Sequence, residues 1–291
     1  MLNKAHIDNF SFYSIENGRF KLDGGAMFGV VPKTLWSKQI QPDDLNRIDM
    51  AMRSLLIVSN KTNRVYLVDT GAGRKFNEKF TKIYGLDFHH SDMETSLSVQ
   101  GFKKEDITDI IFTHLHFDHC GGISFINEEG EAELDFPQAN IWVTKQQWET
   151  ANHPNAREKA SFFRENLEPI SNSGNLHLIN EGYEYEPGLS NIIVNGHSIG
   201  QQLPLIITGK TKLLFAGDLL PTFAHIPTPW VMGYDMHPTQ TLIEKEAILT
   251  KCYDEGILLY MQHDTSHEII KLGKKGNSLT MGESLTLDHL R

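Results

Sequence analysis

The segment from His114 to Cys120, which reads HLHFDHC, constrains this chain more than any other feature. It places three imidazoles and one carboxylate within six positions, directly after the apolar run Asp109–Thr113. That run predicts a buried strand, and a strand that ends in a loop can direct successive side chains toward one point. Imidazole and carboxylate ligands suit Zn²⁺, Fe and Mn²⁺. We therefore predict a metal site at the end of a strand, rather than a histidine-rich surface loop that holds no metal.

Later parts of the chain offer further candidate ligands. His197, Asp218 and His263 each follow a short apolar run, at the point where a strand would emerge into a cleft. These runs are Asn191–Asn195, Lys212–Ala216 and Ile257–Met261. Alone, each histidine would be read as a core or capping residue and the aspartate as a turn residue. Together with the cluster at 114–119, all three are predicted to be metal ligands.

Short apolar runs alternate with helical segments, which predicts a mixed α/β architecture with helices packed outside the sheets. The other predicted strands are Ser54–Ser59, Arg64–Asp69, Asn140–Thr144 and Leu205–Thr208. The predicted helices are Lys145–Ala151, Glu158–Asn166 and Thr239–Asp254. The glycine-rich run 23–33 predicts a loop, which is either a surface turn or a segment where Met27 and Phe28 meet a ligand.

Composition excludes several classes of protein. The chain has 291 residues and a formal net charge of −10, which disfavours a nucleic-acid partner because such partners usually need a basic surface. Its 2 cysteines cannot form a disulfide scaffold, and no segment is long and apolar enough for a membrane helix. The start of the chain is too polar for a secretory signal. We therefore expect a cytoplasmic protein without membrane insertion, and the sequence leaves open whether it is a monomer or a homodimer.

From about Ser54 to Asp264, the chain resembles the metallo-β-lactamase superfamily. The segments that match the five motifs of that family are Val68–Gly71 with Asp69, the cluster 114–119, Gly196–Ser198, Gly217–Asp218 and His263–Asp264. The resemblance implies an αβ/βα sandwich, in which two mixed β-sheets are flanked by helices and the metals lie at one edge of the sheets. We expect a single domain over residues 1–291, with residues 1–45 as an N-terminal extension that borders the active site.

The resemblance also implies a ligand set for two metal ions. One metal would be held by His114, His116 and His197, and the other by Asp118, His119 and His263, with Asp218 bridging the two and Asp69 anchoring the ligand loop without touching metal. Ligands of nitrogen and oxygen alone suit two Zn²⁺, although Fe, Mn²⁺ or Co²⁺ would fit the same residues. A hydroxide that bridges the metals would attack a carbonyl carbon, and Asp118 would take the proton.

Two segments, 24–33 and 217–235, resemble bacterial quorum-quenching N-acyl-homoserine lactonases. This likeness implies a metal-dependent hydrolase that opens the lactone ring of a small-molecule substrate. The alternative is a glyoxalase II-like thioesterase, or a general esterase or phosphotriesterase of the same fold. The likeness would place Met27, Phe28, Phe223 and Trp230 near the substrate, although such side chains also fit an ordinary core.

Two positions depart from the pattern of these relatives: Pro221, and Gln201, where the family's H-x-x-G-H run ends in a histidine. Some homoserine lactonases have a tyrosine three residues after the bridging aspartate, where this chain has Pro221. His225 is the nearest titratable candidate to assist at the carbonyl or the leaving group, and Tyr234 is a weaker one. The sequence leaves open which residue protonates the leaving group.

Overall fold

The computed structural model describes residues 4–290, and two seven-stranded β-sheets form its centre. In chain order the strands are β1 (Lys4–Ile7), β2 (Phe10–Asp23), β3 (Arg47–Ser59), β4 (Val65–Val68), β5 (Asp109–Ile111), β6 (Ser124–Ile126), β7 (Ala132–Leu134), β8 (Asn140–Thr144), β9 (Leu176–Ile179), β10 (Glu184–Glu186), β11 (Leu189–Val194), β12 (Gln201–Thr208), β13 (Thr211–Phe215), β14 (Leu258–Tyr260), β15 (Ile269–Lys275) and β16 (Ser278–Leu285). The helices are α1 (Gly24–Phe28), α2 (Lys33–Trp36), α3 (Glu78–Tyr84), α4 (Met93–Val99), α5 (Phe117–Cys120), α6 (Lys145–Asn152), α7 (Arg164–Asn172) and α8 (Pro238–Glu255).

Successive halves of the chain build the two sheets. The first sheet has the strand order β1-β2-β3-β4-β5-β8-β9, the second runs in sequence order from β10 to β16, and β6 and β7 form a separate hairpin. Neighbouring strands are parallel from β4 through β5 and β8 to β9, and β13 is parallel to β14. The other neighbours in both sheets are antiparallel. With helices outside, these mixed sheets confirm the predicted αβ/βα sandwich.

Strand β3 shows how the sequence builds the layers. Leu55 and Ile57 belong to the apolar core between the two sheets, which also contains Phe215 of β13. Leu56 lies in a second cluster, which includes Leu97 of α4 on the outer side of the first sheet. Successive side chains of a strand point to opposite faces, so an unbroken apolar run serves a sheet that is covered on both sides.

The second sheet is covered by α8. Its residues Leu249 and Cys252 are buried in a third apolar cluster with strands β11 to β15. Pro238 begins the helix, and Gly256 ends it in the left-handed conformation at φ 67°. The predicted helix Thr239–Asp254 is therefore confirmed, with one added residue at each end.

Two local predictions are wrong. The run 23–33 is not simply a loop, because the Asp23 side chain accepts a hydrogen bond from the Ala26 amide at 2.8 Å and starts the short helix α1. Gly24 has no room for a side chain, since a Cβ there would lie 2.4 Å from the Trp36 ring. The predicted helix Glu158–Asn166 is broken as well.

The break in that helix has a tertiary cause. A 3-10 turn spans Lys159–Ser161, and Phe162 and Phe163 then adopt extended backbone before α7 begins at Arg164. The extended backbone places the Phe162 ring 5.0 Å from the His116 ring and the Phe163 ring 5.2 Å from the Phe80 ring. Packing of these aromatic rings therefore overrides the local helical propensity.

The segment 1–45 joins the body of the fold in its described part, residues 4–45. Strands β1 and β2 form one edge of the first sheet, and α1 and α2 follow them. Residues 1–3, on which the prediction also falls, lie outside the described residues. Across residues 4–290, no helix has the length and apolar character required to cross a membrane.

Candidate metal centre

The candidate ligands lie at one edge of the two sheets because their strands end there. His114, His197, Asp218 and His263 each stand three positions after the last residue of a strand, namely β5, β11, β13 and β14. The strands β4 and β5 are parallel, as are β13 and β14, so the residues that follow each pair emerge at the same edge. Both sheets thus deliver polar side chains to one place, as the sequence predicts.

Glycines allow the ligand loop to pack closely on the loop after β4. A Cβ on Gly121 would lie 2.1 Å from the Ala72 carbonyl oxygen, and one on Gly122 would lie 2.2 Å from the Thr70 carbonyl oxygen. The amide of Gly122 donates to the Gly71 carbonyl oxygen at 2.8 Å. Any larger residue at 121 or 122 would push apart the two loops that position the ligands.

One group of donors, which we call the first cluster, consists of His114, His116 and His197. The Nε2 atom of His114 lies 3.0 Å from Nδ1 of His116, and Nε2 of His197 lies 3.2 Å from the same Nδ1 atom. All three residues are buried, and one ligand atom of each lies within 4.8 Å of the others. Ring nitrogens packed this closely repel through their lone pairs unless a proton or a cation lies between them, so this arrangement fits a metal ion.

The second cluster consists of Asp118, His119 and His263, and it lies beside the first. Nε2 of His263 is 3.1 Å from Nε2 of His119, and the Asp118 Oδ2 atom lies 3.6 Å from His119 Nε2 and 3.8 Å from His263 Nε2. These three donors also come within 4.8 Å of one another. One carboxylate with two imidazoles is a second plausible set of ligands for a divalent metal.

Asp218 stands between the two clusters. Its Oδ2 atom lies 3.2 Å from Nε2 of His197 in the first cluster. Its Oδ1 atom lies 3.4 Å from Nε2 of His119 and 3.0 Å from Nε2 of His263 in the second. One oxygen therefore faces each cluster, which is the arrangement that a bridging carboxylate needs.

The electrostatics of the clusters favour cation binding. Burial, with neighbouring imidazoles adding to it, holds the pKa of His114 well below its usual value, and burial also lowers the pKa of His116. Both rings are therefore neutral, which is the form that binds metal. Burial alone would lower the pKa of His119, but the Asp118 and Asp218 carboxylates outweigh it and raise that pKa well above its usual value. The negative charge at the centre thus attracts a proton when no metal is bound.

Asp69 supports the second cluster through hydrogen bonds to His119 and to neighbouring residues. Its Oδ2 atom accepts hydrogen bonds from His119 Nδ1 at 2.9 Å, from the Thr113 hydroxyl at 2.7 Å and from the Gln262 amide nitrogen at 2.8 Å. Its Oδ1 atom accepts from the Thr113 backbone amide at 2.8 Å. The carboxylate is fully buried and belongs to none of the donor groups. Asp69 therefore fixes the orientation of the His119 ring, so that the other ring nitrogen faces the cluster.

Two carboxylates of the site were missed by the sequence analysis. Glu158 accepts a hydrogen bond from Nε2 of His116 at 3.1 Å, and Asp235 accepts one from Nδ1 of His197 at 3.1 Å. Both carboxylates are buried. They stand 42 and 38 residues from their partners, and no local pattern in the sequence connects such positions. The sequence marks them only indirectly, since Glu158 begins a predicted helix and Asp235 ends the segment 217–235 that resembles the lactonases.

A cavity of about 100 Å³ opens over the two clusters. Its walls contain the candidate ligands His116, Asp118, His197, Asp218 and His263. The remaining lining residues are Leu22, Met27, Met50, Tyr84, Phe117, Arg157, Ser161, Met232, Gly233, Tyr234 and Met236. Of the four predicted substrate contacts, the structure brings Met27 to this cavity and does not bring Phe28, Phe223 or Trp230 there.

The three aromatic residues have other positions. Phe28 is fully buried, with its ring stacked between Trp36 and His225 at centroid distances of 5.2 Å and 4.6 Å. Trp230 meets the edge of Phe28 at 5.8 Å. Phe223 lies 5.0 Å from the His267 ring and lines a separate surface depression. Phe28 and Trp230 therefore support the wall of the cavity from behind.

His225 also lies behind the wall. Its Nδ1 atom is 2.7 Å from the Thr222 hydroxyl and its Nε2 atom is 2.9 Å from the Met27 carbonyl oxygen, so neither nitrogen is available to a substrate. Burial lowers the pKa of His225 to about 4, and the ring is neutral at ordinary pH. The structure does not bring this predicted catalytic residue to the cavity, and its contacts instead hold the carbonyl group of Met27.

A family model described as the metallo-beta-lactamase superfamily matches residues 53–263, which is most of the chain. The chain belongs to this superfamily. Membership accounts for the two sheets and for the His/Asp clusters at their edge, and it supports a metal-dependent hydrolase.

Individual relatives give more detail. A crystal structure of a probable metal-dependent hydrolase from Staphylococcus aureus is 31% identical, with a TM-score of 0.86 over 96% of this chain and 99% of that one. A dizinc quorum-quenching lactonase in complex with its product has the same fold, at 22% identity and a TM-score of 0.77, over 98% of both chains. An N-acyl homoserine lactonase of Bacillus cereus is 32% identical over 120 residues, which is 41% of each chain. The matched part thus spans about two fifths of that curated relative.

Proposed function

We propose that this protein is a dinuclear zinc hydrolase that opens the lactone ring of N-acyl-homoserine lactones or related lactones. The observation that carries the proposal is the convergence of six candidate ligands in two clusters, with a seventh, Asp218, between them. The likeness to N-acyl homoserine lactonases supports the choice of substrate. The alternatives, a thioester or a phosphotriester substrate, are included in the test below.

The proposed metal ligands are those implied by the sequence. His114, His116 and His197 would hold one ion, Asp118, His119 and His263 the other, and Asp218 would bridge them. Two such ions would lower the pKa of a water molecule toward 7 and polarise the substrate carbonyl. Zinc suits this mixture of imidazole and carboxylate ligands.

The chain itself contributes orientation and proton transfer. Asp69, Glu158 and Asp235 fix the rings of His119, His116 and His197 through the second ring nitrogen. Asp118 lines the cavity and has no backbone or hydroxyl partner within the described residues, so its carboxylate is free to take a proton from the attacking water. Proton transfer by a positioned carboxylate contributes typically about 10²–10⁴-fold to a rate.

The cavity wall suits an acyl chain. Four methionines, at positions 27, 50, 232 and 236, line it together with Leu22. Methionine side chains are unbranched and polarisable, and they adapt to apolar ligands of different shapes. A largely apolar wall with a few polar groups is typical of a small-molecule site.

The test is a substrate panel for the zinc-loaded protein and for protein stripped by a chelator. We expect ring opening of N-acyl-homoserine lactones by the loaded protein, loss of activity on stripping, and recovery when zinc is restored. A glutathione thioester, an aryl ester and a phosphotriester complete the panel. Efficient turnover of one of these esters, with all acyl-lactones left intact, would overturn the proposed substrate.

A further inference from the structure

Five of the eight tyrosines of this protein fall into two groups, which differ in the partners of their hydroxyls. Those of Tyr66, Tyr185 and Tyr260 are buried, and each has a side-chain partner, at 3.0 Å, 2.7 Å and 2.7 Å respectively. Tyr84 and Tyr234 are half-buried, both line the cavity over the metal clusters, and neither hydroxyl has a hydrogen-bond partner among residues 4–290. Both hydroxyls are therefore available to a ligand in the cavity, and a phenol can donate one hydrogen bond to it.

Tyr84 lines the same cavity as Asp118 of the second cluster. It is the last residue of α3, and its ring lies 4.4 Å from the Phe80 ring and 4.8 Å from the Phe117 ring. Phe117 directly precedes Asp118 in the chain. Burial raises the pKa of Tyr84, and the negative charge of Asp118 raises it further. A phenol ordinarily keeps its proton at neutral pH, so the Tyr84 hydroxyl can act as a hydrogen-bond donor there.

The other donors on the cavity wall are engaged or are joined through the chain to residues that contact the first cluster. The Arg157 guanidinium donates to the Gly233 carbonyl oxygen. Ser161 precedes Phe162, whose ring packs against His116 in the first cluster. Tyr234 precedes Asp235, the residue that orients His197 in the first cluster. Among these donors, Tyr84 is the one that packs against Phe117, the residue directly before Asp118.

We propose that the Tyr84 hydroxyl donates a hydrogen bond to the leaving oxygen of the substrate, which is the ring oxygen of a lactone. The proposal rests on the function proposed above. Water gives one proton to Asp118, and its oxygen bonds to the carbonyl carbon. The bond from that carbon to the ring oxygen then breaks, its electron pair goes to the ring oxygen, and the proton returns from Asp118 to this oxygen. The products are a carboxylate, a hydroxyl group and one proton released to solvent.

Tyr84 thus stabilises the negative charge that develops on the ring oxygen before this oxygen is protonated. A donor aimed at a developing charge contributes more in the transition state than in the bound substrate. This role requires no transfer of the phenolic proton itself. It also supplies a donor at the reacting ester in a chain that has Pro221 three residues after Asp218.

The first test measures binding rather than turnover. The ligands are N-hexanoyl-L-homoserine and N-hexanoyl-L-2-aminobutyrate, which lacks only the hydroxyl formed from the ring oxygen. Calorimetry is done with the zinc-loaded wild type, with Tyr84→Phe and Tyr234→Phe, and with Tyr253→Phe on the outer helix α8 as the control. We expect the wild type to bind the hydroxylated ligand about fivefold more tightly, as one hydrogen bond would provide. This preference should vanish only in Tyr84→Phe.

The second test compares substrates with an alkyl and an aryl leaving group. In Tyr84→Phe, we expect kcat for an alkyl lactone to fall by about 10- to 100-fold with KM changed by less than about threefold, and kcat for an aryl ester to fall by less than about threefold. A phenolate leaves without much help, so it depends less on the donor. Three results would each overturn the assignment to Tyr84. The first is an equal fall in kcat for both leaving groups. The others are a preference for the hydroxylated ligand that survives in Tyr84→Phe, or one that is lost in Tyr234→Phe.

The two proposals fail in different ways. If the wild type opens lactones but Tyr84→Phe behaves like Tyr253→Phe, only the role of Tyr84 is overturned. If the wild type hydrolyses other esters and leaves lactones intact, the lactonase proposal fails, and the comparison of alkyl with aryl esters still decides the role of Tyr84. If no ester is hydrolysed, the binding experiment decides it.

Discussion

The two candidate metal clusters differ in which parts of the fold support them. In the first cluster, the outer ring nitrogens of His116 and His197 are held by Glu158 and Asp235, which lie in connections between helices and turns. In the second, the outer nitrogen of His119 is held by Asp69 at the end of β4. His263 Nδ1 is likewise held by the Ala51 carbonyl oxygen within β3, at 2.8 Å.

This difference predicts which of the two clusters releases its metal more readily. Connecting segments open locally at a lower free-energy cost than the central strands of a sheet. The first cluster therefore depends on the less stable parts of the fold, while the second is tied to the core between the sheets. We expect both clusters to bind metal, and we expect the first cluster to release its metal more readily.

The largest effect is expected at Asp118, which the account places in both metal binding and proton transfer. Asp118→Asn should keep the fold but lower kcat/KM for ring opening by about 10³-fold, because the amide cannot take the proton from water. The control is Asp44→Asn on the exposed surface. Turnover by the Asp118 variant at the level of the control would refute the assigned mechanism.

Asp69→Asn tests the support of the second cluster. An asparagine would present an NH₂ group to donors such as the Thr113 and Gln262 side chains, and would leave buried donors unpaired. We expect the unfolding free energy of the metal-free protein to fall by about 1–3 kcal/mol, and the affinity for one metal to fall by about 10- to 100-fold. Chemical denaturation and chelator competition measure the two quantities. Unchanged values would show that the Asp69 contacts do not organise the site.

Asp235→Asn and Glu158→Gln test the support of the first cluster. Each should lower the affinity for one metal by about tenfold, because His197 or His116 loses its charged partner. The fold should be destabilised less than by Asp69→Asn. If either variant instead lowered the affinity for the metal held by Asp118 and His263, the division into two separately supported clusters would be incorrect. A metal with a visible spectrum, such as Co²⁺, distinguishes the two sites.

The smallest effect should appear in the wild type under a chelator titration. We expect two steps of zinc release, with the first ion lost at a chelator concentration several-fold lower than the second. The Asp235→Asn variant should separate the steps further, and Asp69→Asn should bring them together. A single step in all three proteins would contradict the difference in support.

The donors could be predicted because their signals are local. His114, His116, Asp118 and His119 lie within one short segment, and the other ligands each terminate an apolar strand. Their partners Glu158 and Asp235 could not be predicted, because a hydrogen bond between residues some forty positions apart depends on how the loops pack. The same applies to the cavity wall: Met27 and Phe28 are neighbours in the chain, but only Met27 lines the cavity.

The fold shows the same limit. The short strands that flank the ligands were predicted from their apolar runs, whereas the long strand β2 was not. The register of β2 against β3 shifts between Glu16 and Arg19, and Gly18 at that point adopts φ 95°. A glycine next to polar residues is typical of a turn, and only the pairing with β3 makes this segment a strand with a bulge.

Metal stoichiometry tests the central claim most directly. Elemental analysis of the protein after reconstitution with zinc and removal of free metal should give two ions per chain in the wild type. It should give fewer than two when both His116 and His197 are replaced by alanine. One ion or none in the folded wild type would contradict the proposal that these seven side chains form a two-metal site.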